Sequence, residues 1–325
     1  MIRHAVDTTL LPRQIDVLHD LEPVVADLIK THEAKRRLWW PTDLLGIQSS
    51  EHPDRDLEDL RKRAAGIPDP VRVSLVMGLI TEEGLPHFHR LLAVHLGDTS
   101  YWREWNNLWT AEEDRHGSVL HDYLWAARIL DTRVLEEMQF NYLKNGFYPD
   151  WEYDPYRLLV YTSLQERATQ VAHTNNGKAG GEYDPLLGSV LERVSTEEAR
   201  HFHFYRTAFA GVLLRDPDHA LDAIRHVVGS FEMPGVNIPG FREMTDVIRR
   251  AGLYGPRDFL HIVEEQIEHW GIETMTGLSS AGREAQAAVL SFPERFRRIC
   301  DRMDARATAR TFSFDVVYGR EFSIG

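Results

Sequence analysis

The residues of this chain best suited to chemistry are Glu113 and His116, three apart in the stretch Trp109-Thr-Ala-Glu-Glu-Asp-Arg-His116-Gly. On a helix, positions i and i+3 share a face with Cβ atoms about 5–6 Å apart, so both side chains can reach one metal ion. The spacing returns at Glu198 and His201, within Ser195-Thr-Glu-Glu-Ala-Arg-His201. Two Glu-x-x-His pairs on separate helices make half of a carboxylate-bridged two-metal site. The other half is one Glu from each of two further helices. A lone pair means little, since a chain with 16 His and 50 Asp and Glu will hold one by chance.

Two more glutamates fit. Glu82 ends the run Leu75-Val-Met-Gly-Leu-Ile-Thr-Glu82, and Glu166 ends Leu158-Leu-Val-Tyr-Thr-Ser-Leu-Gln-Glu166. A carboxylate set in such an apolar helix costs several kcal/mol to bury unpaired, so each needs a partner. Arg115, Arg167 and Arg200 could provide salt bridges, or two metal ions could serve all four glutamates at once. Oxygen-rich donors with one imidazole per ion suit iron, or manganese in its place, more than zinc. The ligand order is then Glu82, Glu113, His116, Glu166, Glu198, His201. Each carboxylate in a Glu-Glu pair has a rival in Glu83, Glu112 or Glu197. The i,i+3 spacing selects Glu113 and Glu198, and leaves Glu82 and Glu83 undecided.

The elements that must position these residues read as helices throughout. Apolar residues recur at helical spacing over 10–38, before Trp39-Trp40-Pro41 breaks the pattern. A charged helix spans about 57–65, and a long apolar one runs from Val71 to about His95 with Glu82 inside it. After Gly97-Asp-Thr, Ser100 is positioned to cap the helix carrying Glu113 and His116. Further helices are expected near 132–145, from 156 to about 175, and from Pro185 to about Leu214. A Pro-rich turn at 148–155 and a Gly-rich linker, Asn175-Asn-Gly-Lys-Ala-Gly-Gly181, separate them. The last third reads as helices at 220–230, 240–251, 256–274 and 283–308. The tail Phe312-Ser-Phe-Asp-Val-Val-Tyr318 alternates like an extended segment. The two Glu-x-x-His helices suggest an internal duplication of a helix pair. The fold expected is all-α: one domain over 1–325, with a four-helix ligand-bearing core at about 70–214 and a short extended C-terminal tail.

Composition excludes several classes. A net charge of −13 and a pI near 5.6 argue against nucleic acid as a partner. No run approaches the 18 apolar residues of a membrane span. Cys300 is the single cysteine, so no internal disulfide can form, which suits a reducing cytoplasm. The opening Met-Ile-Arg-His-Ala-Val-Asp does not build the apolar core expected of a secretory leader. An acidic partner would have to meet a local basic patch such as Arg61-Lys62-Arg63 or the series Arg295, Arg297, Arg298, Arg302, Arg306 and Arg310.

Taken together these stretches resemble the soluble acyl-[acyl-carrier-protein] desaturases of plant plastids and actinobacteria. The resemblance rests on Trp40-Pro-Thr-Asp, Ile80-Thr-Glu-Glu-Gly-Leu-Pro86, Trp109-Thr-Ala-Glu-Glu-Asp-Arg-His-Gly117 and Tyr161-Thr-Ser-Leu-Gln-Glu-Arg-Ala-Thr169. Glu232-Met-Pro, Leu278-Ser and Phe312-Ser-Phe extend it over nearly the whole chain. It implies a ferritin-like di-iron bundle with Glu82, Glu113, His116, Glu166, Glu198 and His201 as ligands to two Fe ions, and it favours Glu82 over Glu83. It further implies that Thr169 serves proton delivery, and that Trp109, His173 and Glu197 surround the cluster. Leu91, Val94, Pro149, Leu158 and Leu159 fall where the family lines its acyl tunnel.

The reaction implied is O2-dependent removal of two hydrogens from neighbouring methylenes, chemistry that a cofactor and no ionisable side chain can do. Acyl carrier protein would deliver the chain, and a homodimer is the family's state. No nucleotide-binding glycine motif or cysteine cluster is present, so a separate ferredoxin-type reductant is implied. Two other uses of such a site are an iron store and a ribonucleotide reductase small-subunit-like oxidase. The first is typically about half this length. The second needs a tyrosine one turn after the first ligand histidine, where this chain has Leu120.

Overall fold

A computed structural model describes residues 12–47, 50–97, 100–149 and 154–325. Parts of the expected breaks at 97–100 and 148–155, and the start of the first expected helix, lie outside them. In chain order the helices are α1 (Pro12–Asp20), α2 (Glu22–Lys35), α3 (Pro41–Leu45), α4 (Pro53–Ala64), α5 (Asp69–Glu82), α6 (Leu85–Leu96) and α7 (Ser100–Ala127). They continue with α8 (Thr132–Asn145), α9 (Pro155–Gly181), α10 (Pro185–Arg215), α11 (Pro217–Gly229), α12 (Phe241–Arg250), α13 (Pro256–His269) and α14 (Ser280–Ala305). β1 (Arg310–Phe312) and β2 (Phe322–Ile324) form an antiparallel hairpin, with Phe312 opposite Phe322.

The all-α expectation holds. α5 and α10 each pack against both α7 and α9, closing a four-helix bundle around which the remaining helices are laid. The bundle's apolar side chains fall into two clusters. Trp102, Trp105 and Trp109 of α7 belong to one, and Leu120, Tyr123 and Leu124 of the same helix to the other. Glu112, Glu113 and His116 lie between them. A helix this long can thus carry an ionisable belt at its waist, because apolar packing on either side supplies the burial free energy.

Several expected boundaries differ, each for a physical reason. The first expected helix is two, since Pro23 has no N–H for the carbonyl of residue 19. The segment from Val71 to His95 is also two helices. Pro86 cannot bond the Glu82 carbonyl, so α5 stops at Glu82 and α6 starts at Leu85. The expected Gly-rich linker is helical to Gly181, because its glycines allow α9 and α10 to touch. A Cβ on Gly181 would lie 3.1 Å from the Gly188 Cα, and one on Gly180 only 2.5 Å from Leu187 Cδ2. Ser100 does not cap α7 with its own oxygen. Its hydroxyl donates to Glu22, whose other carboxylate oxygen accepts from the Tyr101 N–H at 3.2 Å. In the tail only 310–312 and 322–324 are strands. Residues 315–317 form one 3-10 turn whose Val316 carbonyl accepts from the Asp131 N–H at 2.8 Å.

Candidate metal centre

Each helix of the bundle delivers its share of the expected ligands. α5 brings Glu82, α7 brings Glu113 and His116, α9 brings Glu166, and α10 brings Glu198 and His201. All six are buried. Their donor atoms form two overlapping groups, Glu82–Glu113–His116–Glu198 and Glu113–Glu166–Glu198–His201, with the atoms of each group within 4.8 Å of one another. Glu113 and Glu198 belong to both groups, so the two positions share two carboxylates.

The ring nitrogens show which way the site faces. His116 Nδ1 lies 3.2 Å from Glu198 Oε1 and 3.3 Å from Glu113 Oε2. His201 Nδ1 lies 2.7 Å from Glu113 Oε1 and 3.6 Å from Glu166 Oε2. None of these approaches is aligned as a hydrogen bond. His116 Nδ1, His201 Nδ1, Glu113 Oε1 and Glu166 Oε2 are buried without a hydrogen-bond partner among the described residues. Four inward-facing lone-pair donors left unsatisfied at one point in a protein interior are what a bound cation would complete. The residues present therefore fit a metal centre.

The outward nitrogens are held crosswise. His116 Nε2 lies 3.2 Å from Glu197 of α10, and His201 Nε2 lies 2.9 Å from Glu112 of α7. The first Glu of each Glu-Glu-x-x-His stretch thus holds the histidine of the other. Glu197 is in turn fixed by Arg115 at 3.0 Å and Arg200 at 2.9 Å, and Glu112 by His32 at 2.8 Å with Arg36 at 3.6 Å. Arg167 turns away, to Glu265 at 3.0 Å. Among the described residues, arginine salt bridges, the other way of satisfying four buried carboxylates, do not reach Glu82, Glu113, Glu166 or Glu198. Glu112 and His32 were missed in the sequence. Glu112 has a spacing signal only as a discarded ligand, and His32 lies 80 residues from the carboxylate it touches.

Electrostatics follow from the crowding. Burial pushes the Glu82 carboxyl up to about 7 despite a hydrogen bond from His173 at 2.9 Å. Burial, together with the charges of Glu113 and Glu198, raises Glu166 well above the usual range. Burial alone would depress His116 and His201, but the carboxylates around them, Glu113 foremost, hold both well above the ordinary imidazole value. Burial opposes ionisation of Glu112 too, yet the bonds from His201 and His32 outweigh it and keep that carboxyl low. Without a cation, this belt must retain protons to exist in an apolar interior.

The remaining predicted residues divide. Trp109 Nε1 donates to Glu166 at 3.0 Å. The Thr169 hydroxyl lies 2.8 Å from Glu198 Oε2 and 3.0 Å from the Glu166 carbonyl, and its one proton can serve only one of them. Two cavities adjoin the cluster. One of about 1070 Å³ runs from Thr81, Thr169 and His173 to the surface at Arg242, Arg249 and Arg295. The other, about 30 Å³, touches Glu82, Glu113 and Trp109. The five residues expected to line a tunnel border neither cavity. Leu91, Leu158 and Leu159 are packed in an apolar cluster, Val94 is 41% exposed and Pro149 is half-buried. Of the expected basic patches, Arg63 is bound to Asp184 and Arg61 to the Ala126 carbonyl, while Arg295 stands at the mouth of the large cavity.

Fold and site together define an all-helical bundle protein with a buried carboxylate–histidine centre of two overlapping positions. The chain belongs to the fatty acid desaturase family, whose profile matches residues 13–318. It is 33% identical to stearoyl-[acyl-carrier-protein] 9-desaturase 1 of Oryza sativa subsp. indica, over 98% of this chain and 89% of that one. It is 32% identical to palmitoyl-[acyl-carrier-protein] 4-desaturase 3 of Ophrys sphegodes, over 98% and 85%. The crystal structure of DesA2 from Mycobacterium tuberculosis H37Rv, assigned as an acyl-ACP desaturase, shares the fold. Its TM-score is 0.62 at 20% identity, covering 83% of this chain and 99% of that one. Among the described residues no helix is long and apolar enough to cross a membrane.

Proposed function

We propose that this protein is an O2-dependent desaturase that places a double bond in a saturated fatty acyl chain carried on acyl carrier protein. The observation that carries the reading is the pair of overlapping four-donor groups sharing Glu113 and Glu198, with Thr169, beside Glu198, on the wall of a large and mostly apolar cavity that reaches the surface. We assign the centre to two iron ions, which Glu82, Glu113, His116, Glu166, Glu198 and His201 would hold; manganese is the natural substitute. Bound there, the ions would supply the oxidising power needed to take hydrogen from an unactivated alkyl carbon.

The chain's own residues do the rest. The cavity walls order the acyl chain and exclude water, converting a reaction between unactivated partners into one at fixed geometry. Glu112 and Glu197 hold His201 and His116 in one tautomer, with the unprotonated Nδ1 turned inward. Thr169 holds a proton at Oγ1 on the wall shared by both cavities, beside Glu198. Trp109 and His173 fix Glu166 and Glu82. The arginines at the mouth fit an acidic carrier, and electrons come from a ferredoxin-type protein.

The test is anaerobic reconstitution with iron and a reductant, then oxygen, on carrier-bound chains of several lengths, with the products identified by mass spectrometry. Unsaturated product is expected. Iron loading far above two per chain with no product would point to storage instead, and a stable tyrosyl radical to a reductase-type oxidase.

A further inference from the structure

Three tryptophans of α7, Trp102, Trp105 and Trp109, follow the helical repeat that continues to Glu113 and His116, so they share one face with those ligands. Trp109 is accounted for by its bond to Glu166. Trp105 is not. It is fully buried and borders neither cavity, so it meets no substrate. Its ring centroid lies 6.1 Å from that of His201 and 5.2 Å from that of His32. Phe204 stacks on it at 3.5 Å, and Tyr205, one helical turn after His201, meets it edge-on at 5.8 Å.

Packing alone does not explain this group. The indole N–H of Trp105 is turned toward the Tyr205 hydroxyl, yet neither atom completes a hydrogen bond with any described residue. Buried Trp and Tyr normally find a partner, and two polar atoms left without one cost free energy that Phe at either position would avoid. What Trp has and Phe lacks is an oxidisable ring. The surroundings of Trp105 favour its oxidised, cationic form. A cation is attracted by the electron-rich face of a ring, which Phe204 presents to it. Oxidation makes the indole N–H a stronger donor, and the Tyr205 oxygen is placed to accept from it. Glu112, held between His32 and His201, adds a carboxylate on the same side. Tyr205 is the poorer electron donor of the two. Oxidising a phenol expels its proton, and burial first, with the charge of Glu166 next, holds that proton on.

We infer that Trp105 is an oxidative outlet for the centre, giving up an electron by way of His201 when oxygen is activated with no acyl chain to oxidise. The inference rests on the desaturase reading only in needing a centre that O2 oxidises. In desaturation, O2 takes four electrons and becomes two waters. One pair comes from the reductant and the other from the C–H bonds of the acyl chain. Without that chain the second pair is missing. Trp105 then supplies one electron at a time and becomes a radical cation that keeps its N–H proton, with no bond made or broken. The ferredoxin-type reductant returns each electron. The next ring outward is Trp102, 6.5 Å from Phe204, whose N–H donates to the Leu18 carbonyl of α1 at 3.1 Å. The sum is O2 with four electrons and four solvent protons giving two waters, and the ligands are spared.

The test uses the full-length, iron-loaded protein, reduced, mixed with O2 without acyl substrate, and frozen within milliseconds. Electron paramagnetic resonance should show a short-lived radical whose hyperfine pattern collapses when the protein carries ring-deuterated tryptophan. It should be missing in Trp105→Phe and shorter-lived in Tyr205→Phe, which keeps the packing. Peptide mass spectrometry after repeated cycles then maps the damage. Wild type should gain oxygen first at Trp105. Trp105→Phe should gain it at His116, His201 or Trp109 and lose activity in several-fold fewer cycles, although its initial rate with acyl-carrier substrate matches wild type. Hydrogen peroxide added to the iron(II) protein supplies the oxidant directly. The outlet is thereby tested even if O2 never yields unsaturated product, an outcome that would sink the desaturase reading alone. The outlet is overturned if no tryptophan radical forms with either oxidant, or if wild type and Trp105→Phe are damaged at the same sites and rate. A tyrosyl radical that persists overturns it too.

Discussion

Glu112 Oε2 lies 2.9 Å from Nε2 of His201, although Glu112 sits beside Glu113 on α7 and His201 is on α10. The converse pair, Glu197 and His116, closes the same link in the other direction. The two Glu-Glu-x-x-His stretches are thereby tied across the bundle, so each helix orients the donor of its neighbour. Carboxylate partners of metal-binding histidines fix the tautomer and raise basicity.

Glu112→Ala and Glu197→Ala should each weaken metal binding by about 10–100-fold, the usual cost of losing such a partner. Competition against a chelator of known affinity measures it. His32→Ala should give a smaller loss in the same direction as Glu112→Ala, since its hydrogen bond is to Glu112 and not to a ligand. An affinity unchanged in all three would show that the crosswise bonds do not position the ligands.

Shared and unshared ligands should behave differently. Glu113→Ala removes a donor from both groups and is expected to abolish metal binding at both positions along with activity, whereas Glu82→Ala should leave one position able to bind. Metal per chain by elemental analysis distinguishes the two. Full turnover in Glu113→Ala would refute the ligand assignment.

Thr169→Val is nearly isosteric and removes the proton beside Glu198. It should fold and load metal normally, with a stability change of about 1 kcal/mol. The expected signature is uncoupling, in which more oxygen is consumed per double bond formed. A ratio identical to wild type would reduce Thr169 to a helix hydroxyl bonding its own backbone.

The metal-free protein should lose stability as pH rises from about 5 to 8. Glu82 and Glu83 are both pushed up to about 7 by burial, above their value of 4.5 in an unfolded chain. Their contribution is complete below 4.5 and lost as pH passes through 7. His116 and His201, raised above 6.5, lose theirs at still higher pH. Metal binding displaces these protons, so the loaded protein should reverse the trend, with affinity increasing with pH. Thermal melts of both forms across this range are the measurement, and a metal-free melting point that rises with pH would contradict it.

Gly181→Val would force α9 away from the Gly188 backbone, 3.1 Å from its Cβ position. A loss of about 1–3 kcal/mol is expected, as for other overpacked sites. Chemical denaturation of the metal-loaded protein reads it, and no change would mean that the glycines are not what lets the two helices meet.

The sequence by itself determined that the candidate ligands sit on helices, with the choice of Glu82 over Glu83 resting on the family resemblance. Helical periodicity places residues three apart on one face whatever the rest of the chain does, so Glu113 with His116 and Glu198 with His201 were legible from spacing alone. Carboxylates at the ends of apolar runs, at Glu82 and Glu166, needed only the cost of burying charge to be noticed. Helical spacing along nearly the whole chain likewise set the all-α class. Boundaries were legible where a proline or cap acts locally, as at α8 behind Asp131, which accepts from the Arg133 and Val134 N–H groups.

Only the tertiary structure decided what depends on contacts between distant residues. The glycines at 177–181 carry every local signal of a linker, and they are helical because another helix presses on them, a force that acts from outside the segment. His32 gains its place only when α2 is laid against α7, and Glu112 its role only when α10 faces it. Leu91, Val94, Pro149, Leu158 and Leu159 border neither cavity for the same reason. Side-chain volume is written in the sequence, but whether Leu91, Leu158 and Leu159 bound a space or fill one depends on Phe88 and Phe147 meeting ring to ring from separate segments of the chain.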